Sequence, residues 1–344
     1  MMISIVSTYP PMQCGVAYYT EKLVSSLRSL DKSLEISVVT DNLVSSDFAY
    51  PFRILRMLLR TKPSIIHFQH EYLMYGFYGI PLVFILLVLR ILRYPAVVTL
   101  HTVIPLQTMN EDFFLRYGLT FLPRRVKKIG VLAFTRMICM LSCKITVHTN
   151  SCRRVLHNEY KVDDAKLVVV PHGIDLVAKI QRDRAKSILN LDGRKILLCI
   201  GFIKSDKGYD TAIKALKSQN FADHVLIIAG AIPFRHTRSE IEYVESLHRL
   251  VRQLDLQQRV VFIEHFLSEE EMRLLFSAAD IVWLPYRLQT CGASGIYSMA
   301  RAYGNETITS GVDRFDSSSN SDWSTVANEL LRIYSELGLG RAVS

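Results

Sequence analysis

Three loops that follow predicted strands carry residue types suited to binding phosphate or another anion. Gly15 and Val16 open a helix after the first strand, where free backbone N–H groups and the helix dipole attract negative charge. Lys207 stands in a Lys-Gly pair between a strand and a helix, and its mobile ammonium suits a phosphate on which charge develops. The third loop runs into a helix whose amides and one hydroxyl could cradle phosphate: Gly292, Ala293, Ser294 and Gly295.

Polar side chains also end two predicted strands of the first half. His101 closes the segment AVVTLH and is expected to project beyond the end of the strand. His70 and Glu71 follow one another at the end of SIIHFQH. Glu71 could accept hydrogen bonds from hydroxyl groups or assist a general base.

The sequence leaves a structural interpretation open for each of these residues. Gly15 could serve only the strand-to-helix turn, and Lys207 could be an ordinary solvated lysine. His101 could cap its strand, and Glu71 could form an ion pair with a neighbouring arginine. His172, which precedes a glycine, could face a ligand or lie in a simple turn.

The elements that must position these residues form two successive α/β patterns. Runs rich in β-branched residues alternate with stretches of helical period from ISIVST to LVVVPHG, and the pattern restarts at KILLCIGF. Continuous apolar runs of this length are typical of parallel strands covered by helices on both faces. We therefore predict two doubly wound, Rossmann-like α/β domains that face each other across a cleft, with ligands bound outside the strand ends.

The predicted domain boundaries follow from composition. Residues 173–194 are polar and charged, which suits a hinge between a first domain at 1–172 and a second at 195–320. Residues 321–344 supply a last helix, predicted over 325–337, and a tail.

Composition excludes several classes of protein. The 344 residues are 49% hydrophobic and 21% charged, which excludes a disordered chain, a collagen-like repeat and a coiled-coil rod. The six cysteines are too sparse for a disulfide scaffold and none are spaced as CxxC, which argues against a zinc site. The longest apolar run, 77–89, is shorter than a bilayer span, and the first residues lack the features of a signal peptide. We therefore expect a cytoplasmic protein with reduced thiols.

The excess of positive over negative charge lies entirely in the first half of the chain. Residues 1–172 hold 20 Lys and Arg against 11 Asp and Glu, whereas residues 173–344 hold 21 of each kind. The asymmetry indicates an anionic partner for the first half, and nucleic acid is disfavoured because no recognised binding motif accompanies the charge.

The pattern of residues 121–141 predicts a basic amphipathic helix. Such a helix could bind the anionic surface at the inner face of the membrane. The apolar positions at helical spacing are Leu122, Val126, Ile129 and Ala133, and the basic positions opposite them are Arg124, Arg125, Lys127 and Lys128. An ordinary surface helix with its apolar face in the core is the alternative.

Six segments occur in an order that resembles one enzyme family. They are STYPPMQCGVAYYTEKL, TLHTVIP, VVVPHGID, GFIKSDKGYDTAIKAL, LSEEEMRLLFSAADIVWLPYR and GASGIYSMARAYG. Over residues 1 to about 310, the chain resembles the family 4 (group 1) glycosyltransferases, retaining enzymes of the GT-B fold. The resemblance implies transfer of a sugar from a nucleotide-sugar donor, bound mainly by the second domain, to a glycan or lipid-linked acceptor held mainly by the first.

The resemblance also implies roles for individual residues. The glycine loop at Gly15 approaches the donor diphosphate, Lys207 contacts its phosphates, and His101 contacts the donor sugar and the reaction centre. Retention in such enzymes is thought to proceed by front-face attack, with the leaving diphosphate taking the acceptor's proton. Because no DxD triplet is present, we expect a metal-independent reaction with no cofactor beyond the donor.

The chain departs from the family pattern in its binding loops. Cys14-Gly15 stands where a Gly-Gly pair is common, and Phe202-Ile203 replaces a phosphate-binding arginine, whose task Lys204 or Arg287 could take. His70 and Glu71 are the expected acceptor-side pair.

The family's two glutamates, eight positions apart around the last motif, correspond here to Cys291 and Met299. We interpret the chain as a hexosyltransferase with a variant site, using GDP-mannose or UDP-glucose. A non-catalytic subunit that binds nucleotide sugar or glycan and supports a partner enzyme is the alternative, and an epimerase of UDP-N-acetylglucosamine is a third possibility. A dinucleotide oxidoreductase is disfavoured because no GxGxxG follows the first strand.

Overall fold

The computed structural model describes residues 1–40, 49–72, 74–76, 79–116, 122–175, 178–233, 238–287, 290–311 and 320–342. Phe121 of the predicted amphipathic stretch and residues 176–177 of the predicted hinge lie outside these ranges. The chain forms two compact units. Unit 1 comprises Met1–Gly173, Gln289–Ala293 and Asp316–Ser344, and unit 2 comprises Ile174–Leu288 and Ser294–Phe315.

Strands and helices alternate along the described residues. The strands are β1 (Met2–Val6), β2 (Glu35–Val39), β3 (Ile65–His70), β4 (Ala96–Leu100), β5 (Thr102–Val103), β6 (Lys144–Val147), β7 (Leu167–Val169), β8 (His172–Ile174), β9 (Lys195–Ile200), β10 (His224–Ala229), β11 (Val260–Ile263), β12 (Ile281–Leu284), β13 (Cys291–Gly292), β14 (Glu306–Thr309) and β15 (Asn320–Asp322). The helices are α1 (Gly15–Leu30), α2 (Tyr50–Thr61), α3 (Ile80–Ile91), α4 (Glu111–Arg116), α5 (Arg124–Leu141), α6 (Asn150–Asn158), α7 (Arg182–Ile188), α8 (Tyr209–Ala215), α9 (Arg238–Gln253), α10 (Glu269–Ala278), α11 (Gly295–Ala302) and α12 (Trp323–Ala342).

The main sheet of unit 1 is parallel, in the order β2-β1-β3-β4-β6-β7. Its central strands are buried on both faces, as the continuous apolar runs predict. Strand order reverses at β1, because β2 lies on one side of it and β3 on the other. A topological switch point, where open α/β sheets bind ligands, therefore lies at the carboxyl ends of β1 and β3.

The last helix completes the core of unit 1. α12 packs along α1, and its residues Val326 and Leu330 are buried in one cluster with Ile3 and Leu23. The Ser26 hydroxyl of α1 also donates to the backbone carbonyl at the start of α12, at 2.9 Å. The helix predicted at 325–337 is therefore present and belongs to the same compact unit as the N-terminal sheet.

Unit 2 repeats the architecture with a parallel sheet in the order β11-β10-β9-β12-β14. Its order reverses at β9, so its switch point lies at the carboxyl ends of β9 and β12. Local sequence sets the helix starts: the Ser268 hydroxyl accepts from the Glu271 amide, while the Glu271 carboxylate accepts from the Ser268 amide. The prediction of two doubly wound α/β domains is confirmed.

Apolar segments of unit 1 remain too short for a bilayer span. α3 contains most of the apolar run at 77–89 and has 12 residues. Among the helices of the described ranges, none is long and apolar enough to cross a membrane.

Gly230 lies close to the backbone of a neighbouring loop in unit 2, and we expect Gly230→Ala to destabilise the protein by roughly 2–4 kcal/mol. The residue follows β10 with φ +144°, and an added Cβ would lie 2.2 Å from the carbonyl oxygen of Gly201. Urea unfolding followed by circular dichroism measures the change. Gly130→Ala is the control, because this helical glycine has open space around it and alanine should be neutral or stabilising there. Equal stability of the two variants would contradict the prediction.

Candidate functional site

Three histidines of unit 1 lie at the carboxyl ends of strands, and a fourth begins a short strand. His70 ends β3, His101 follows β4, His148 follows β6, and His172 begins β8. Two of the rings are joined, because His148 Nε2 lies 3.0 Å from His101 Nδ1. On the other side of the ring, His101 Nε2 lies 2.8 Å from the side-chain amide of Gln69. The fold therefore places His101 in a row of hydrogen-bonded side chains that no local sequence motif reveals.

Hydrogen bonding determines which ring nitrogens carry protons. His148 Nδ1 lies 3.0 Å from the carbonyl oxygen of Val170, which can only accept, so Nδ1 donates and Nε2 accepts. His101 Nδ1 therefore donates to His148, and a neutral His101 presents an unprotonated Nε2 to Gln69. The Gln69 amide can serve both charge states of His101, because its NH2 donates to a neutral ring and its oxygen accepts from a protonated one. The atom that faces His101 Nε2 is Gln69 Oε1, and Gln69 Nε2 has no hydrogen-bond partner within the described residues, so exchanging the two ends of the amide would place the NH2 group on the neutral ring.

Burial keeps these imidazoles neutral. It lowers the pKa of His148 to about 3, with His172 adding to the shift. Burial, followed by the neighbouring imidazoles of His148 and His172, also lowers the pKa of His101 well below its ordinary 6.5. The residue His101 as a whole is nevertheless only half-buried. At neutral pH His101 is therefore an uncharged hydrogen-bonding group and a potential base.

Glu71 lies beside His101 and is tied to a neighbouring strand. One carboxylate oxygen accepts from the Tyr72 amide, and the other accepts from the Thr102 hydroxyl at 2.7 Å. Thr102 lies in β5, which pairs antiparallel with β13, so that Gly292 stands opposite Thr102. The half-buried Ala293 ends this short segment of unit 1. Two predicted site residues far apart in sequence, Glu71 and Gly292, thus flank the same threonine.

His70 is buried beneath this group, with 3% of its surface exposed. Its carbonyl accepts from the His101 amide at 3.0 Å, and its ring stacks on that of Tyr75. Burial lowers its pKa to about 4. Of the predicted acceptor-side pair, Glu71 is therefore the accessible member, and His70 supports the backbone of His101.

The N-terminus of α1 lies near the switch point of unit 1. Gly15 is the first helical residue and is exposed, and Val16 is half-buried behind it. The cap is the Cys14 sulfur, a weak acceptor that lies 3.4 Å from the Ala17 amide. An added Cβ at Gly15 would meet no atom within 4 Å, so the chain itself does not require glycine there. The open space favours a role in admitting a ligand over a purely structural turn.

Lys207 lies in the loop after β9, at the switch point of unit 2. Its Nζ sits 3.7 Å from the centroid of the Tyr286 ring, which follows β12. The loop approaches closely, because an added Cβ at Gly208 would lie 2.1 Å from the carbonyl oxygen of Pro285 and the glycine has φ +68°. Among the described residues, no carboxylate pairs with Lys207. The aromatic face thus holds the ammonium in place without neutralising its charge.

Arg287 lies next to Lys207 but is already paired. Its guanidinium donates to the Asp210 carboxylate, which also accepts from the Tyr243 hydroxyl. Its backbone amide donates to the Asp206 carbonyl at 2.8 Å. The structure therefore places Arg287 at the predicted site, with part of its charge compensated by Asp210.

The start of α11 supplies the third element of the unit 2 group. Ser294 caps the helix, its hydroxyl accepting from the Tyr297 amide at 3.2 Å, and Gly295 is the first helical residue. The Ile296 side chain lies near Gly201, where β9 ends. Ser294 and Gly295 thus lie at the same sheet edge as Lys207, whereas Gly292 and Ala293 belong to unit 1.

Comparison with models of protein families assigns the chain to a family. The model for Glycosyltransferase Family 4 matches residues 30–177, and that for Glycosyl transferases group 1 matches residues 181–301. The chain belongs to the group 1 glycosyltransferases. The family resemblance drawn from the six sequence segments is confirmed.

Individual glycosyltransferases match to different extents. D-inositol 3-phosphate glycosyltransferase of Kineococcus radiotolerans is 29% identical over 170 residues, which are 46% of this chain and 38% of that protein. The match thus spans less than half the length of this relative. Sucrose-phosphate synthase from Thermosynechococcus elongatus superimposes with a TM-score of 0.69 at 16% identity, covering 98% of this chain and 90% of that chain. Anabaena HepE, in complex with UDP and glucose, gives 0.66 at 13% identity, covering 96% and 89%. These structures share the GT-B fold.

Two positions that the resemblance relates to the family's glutamates hold Cys291, which is buried, and Met299, which is half-buried. Cys291 is fully buried in β13, with its sulfur 3.5 Å from the Ser151 hydroxyl. Met299 packs against the core of unit 2 from α11. Neither position offers a carboxylate, and a charged group would be costly in either environment without a partner. Neither residue therefore supplies the carboxylate that the resemblance implies at these positions.

Sequence reasoning missed the residues that surround His101. The imidazole contacts the side chains of Gln69, His148 and Tyr19, and its ring centroid lies 4.7 Å from that of Tyr19. A usable signal existed for His148, which is the next-to-last residue of the predicted strand segment KITVHT, much as His101 is the last residue of AVVTLH. No local signal marks Tyr19, which reads as an ordinary core residue of α1.

Proposed function

We propose that this glycosyltransferase moves a hexosyl group from a nucleotide sugar to a glycan or lipid-linked acceptor, with retention and without a metal ion. One observation carries the proposal: the ammonium of Lys207, held on the Tyr286 ring, lies at the switch point of unit 2 in a chain of this family. That position is where an open α/β sheet binds the phosphates of a nucleotide.

The residues of each unit have separate tasks in this proposal. Lys207, the paired Arg287 and the amides at the start of α11 bind the donor diphosphate. In unit 1, Gly15 leaves open space at the start of α1, where the helix amides could bind an anion. In the same unit, Glu71 binds acceptor hydroxyl groups, and the unprotonated Nε2 of neutral His101 accepts a hydrogen bond from a sugar hydroxyl group.

The chemical step follows from these tasks. The bond between the anomeric carbon and the diphosphate oxygen breaks, and the acceptor oxygen bonds to that carbon on the same face. The acceptor's proton passes to the departing diphosphate oxygen. Charge therefore builds up on the diphosphate, and Lys207 is the group placed to stabilise it.

A second function is favoured by one observation. Cys291 and Met299 provide no carboxylate where the family has two glutamates, which fits a non-catalytic subunit that binds nucleotide sugar or glycan beside a partner enzyme. Such a subunit would bind donor without releasing nucleoside diphosphate.

A panel of nucleotide sugars separates the two functions. We expect the purified protein to release nucleoside diphosphate from one donor, with UDP-glucose tested first because HepE is described in complex with UDP and glucose. Saturation-transfer NMR measures binding, and phosphorus NMR measures release, over UDP-glucose, GDP-mannose and UDP-N-acetylglucosamine. The configuration of the product's glycosidic bond tests retention, and activity after treatment with a chelator tests metal independence.

The outcomes of this experiment distinguish the glycosyltransferase, the non-catalytic subunit and the epimerase from one another. Binding without release in the presence of membrane extracts and glycan acceptors supports the non-catalytic subunit. Conversion of UDP-N-acetylglucosamine without an acceptor supports an epimerase. The absence of both binding and release for every donor contradicts the proposed function.

We further propose that the acceptor is assembled at the inner face of a membrane, as in the synthesis of a lipid-linked polysaccharide. The support is the basic surplus of the first half, which contains the acceptor-side residue Glu71. Product extraction into organic solvent, compared with product left in water, tests this assignment.

A further inference from the structure

The apolar stripe of α5 faces solvent. Val126, Ile129 and Met140 are exposed by 48%, 63% and 68%, whereas Thr135 and Ile138 on the other side are buried. This arrangement contradicts the alternative in which the apolar positions pack into the core. It is the reverse of an ordinary surface helix, which buries its apolar side.

The basic positions of α5 are not all opposite the stripe. Lys127 is buried and donates to Glu111 at 2.8 Å, so it anchors the helix to unit 1. Arg125 and Arg136 are exposed. At 100° per residue both stand at the border of the apolar stripe.

Two neighbouring helices extend the exposed apolar surface. α3 packs against α5, where the Phe134 ring meets Gly79, and exposes Ile91 by 70%. α2 packs against α3, and its Phe52, 62% exposed, lies with its ring centroid 5.3 Å from that of Phe84. The solvent-facing side of α2, α3 and α5, here called the three-helix face, is therefore a broad apolar surface. Patches of this kind mark interaction sites.

The three-helix face carries charge of one sign only. The sequences of α2, α3 and α5 contain no Asp or Glu. Their basic residues are Arg53, Arg56, Arg60, Arg90, Arg124, Arg125, Lys127, Lys128 and Arg136. Most of the basic surplus of the first half is thus concentrated on one layer of helices.

We propose that the three-helix face docks on an anionic lipid bilayer. The apolar side chains enter the boundary between headgroups and acyl chains, and the arginines bind lipid phosphates. A second copy of the chain would cover the apolar surface but would bring like charges together. A nucleic acid would neutralise the charges but leave the apolar side chains in water. An anionic bilayer satisfies both features, independently of which donor the enzyme uses.

Vesicle flotation of the full chain tests the proposal. We expect at least tenfold stronger partitioning onto phosphatidylcholine vesicles containing about one-third phosphatidylglycerol than onto phosphatidylcholine alone. Raising the salt from about 0.1 M to about 0.5 M should weaken binding, because exposed charges are then screened. Ile91→Ser with Ile129→Ser should lower the partition coefficient by at least about tenfold. Arg125→Gln with Arg136→Gln should lower it by a similar factor.

Matched controls lie in unit 2. Ile188→Ser replaces an isoleucine that is 54% exposed on α7, and Arg252→Gln replaces an exposed arginine of α9. Neither should change partitioning, and thermal unfolding verifies that every variant is folded. Equal binding to neutral and anionic vesicles, or equal losses in the controls, would overturn the proposal. So would sedimentation showing a dimer that the Ile91 and Ile129 substitutions abolish.

Discussion

Replacing Lys207 with alanine is expected to lower the rate of sugar transfer by about 10²–10³-fold. The ammonium stands alone on the Tyr286 ring, and among the described residues no carboxylate offsets its charge. Arg287 cannot fully replace it, because Asp210 already holds that guanidinium. The loss should appear in kcat more than in KM, because charge on the diphosphate grows as the donor bond breaks.

Two further variants make this result specific. Lys207→Arg retains the charge and should restore part of the rate, since guanidinium also binds phosphate and stacks on aromatic rings. Lys217→Ala, after α8, removes an exposed lysine from the same unit and should leave kcat unchanged. Turnover is measured as nucleoside diphosphate released at saturating donor. Unchanged turnover in Lys207→Ala, or an equal loss in Lys217→Ala, would falsify the donor-site assignment.

Lowering the pH from about 6.5 to about 4.5 is expected to destabilise unit 1, with a slope that reaches at most about 4 kcal/mol per pH unit near the middle of this range. Burial lowers the pKa of His67 and of His148 to about 3 and that of His70 to about 4. In the unfolded chain the same imidazoles titrate near 6.5. Below that pH the unfolded chain binds protons that the folded chain does not, so stability is complete above about 6.5 and is lost as the pH falls. Each such histidine contributes at most about 1.4 kcal/mol per pH unit, where its unfolded form is protonated and its folded form is not.

Urea unfolding at a series of pH values measures this slope. His67 is the best residue to test it, because it lies in the core between the Tyr334 hydroxyl and the Thr99 hydroxyl, away from the accessible groups. His67→Gln should reduce the slope by up to about 1.4 kcal/mol per pH unit, whatever its effect on stability at neutral pH. His157→Gln replaces an exposed histidine of α6 and should leave the slope unchanged. A flat stability profile between pH about 6.5 and about 4.5 would show that the buried rings gain protons without unfolding.

Much of the candidate site was predictable because its residues mark the ends of strands. Gly15, His101 and Lys207 each follow a run of buried β-branched residues, and such runs identify parallel strands from local pattern alone. The carboxyl ends of parallel strands share one edge of a sheet, so these residues were expected at ligand-binding edges. The family motifs then added the chemistry of a phosphate-bearing donor.

The exposed stripe of α5 shows where local pattern is insufficient. A helical repeat of Val126 and Ile129 indicates an apolar face, but the repeat is the same whether the face lies in a core or in solvent. The buried face was decided by Thr135 and Ile138 packing on the unit, and by the ion pair of Lys127.

By itself, the sequence determined the two α/β patterns, the strand ends that carry the chemistry, and the uneven charge. Only the tertiary structure decided the strand order that creates the two switch points, and the pairing that brings Gly292 opposite Thr102. It also decided that α12 joins unit 1, where Tyr334 meets His67 across 267 positions of the chain. The physical reason is the separation of the interacting residues along the chain. Periodicity in the sequence shows which side of a helix or strand is apolar, but these contacts depend on which distant elements pack against that side.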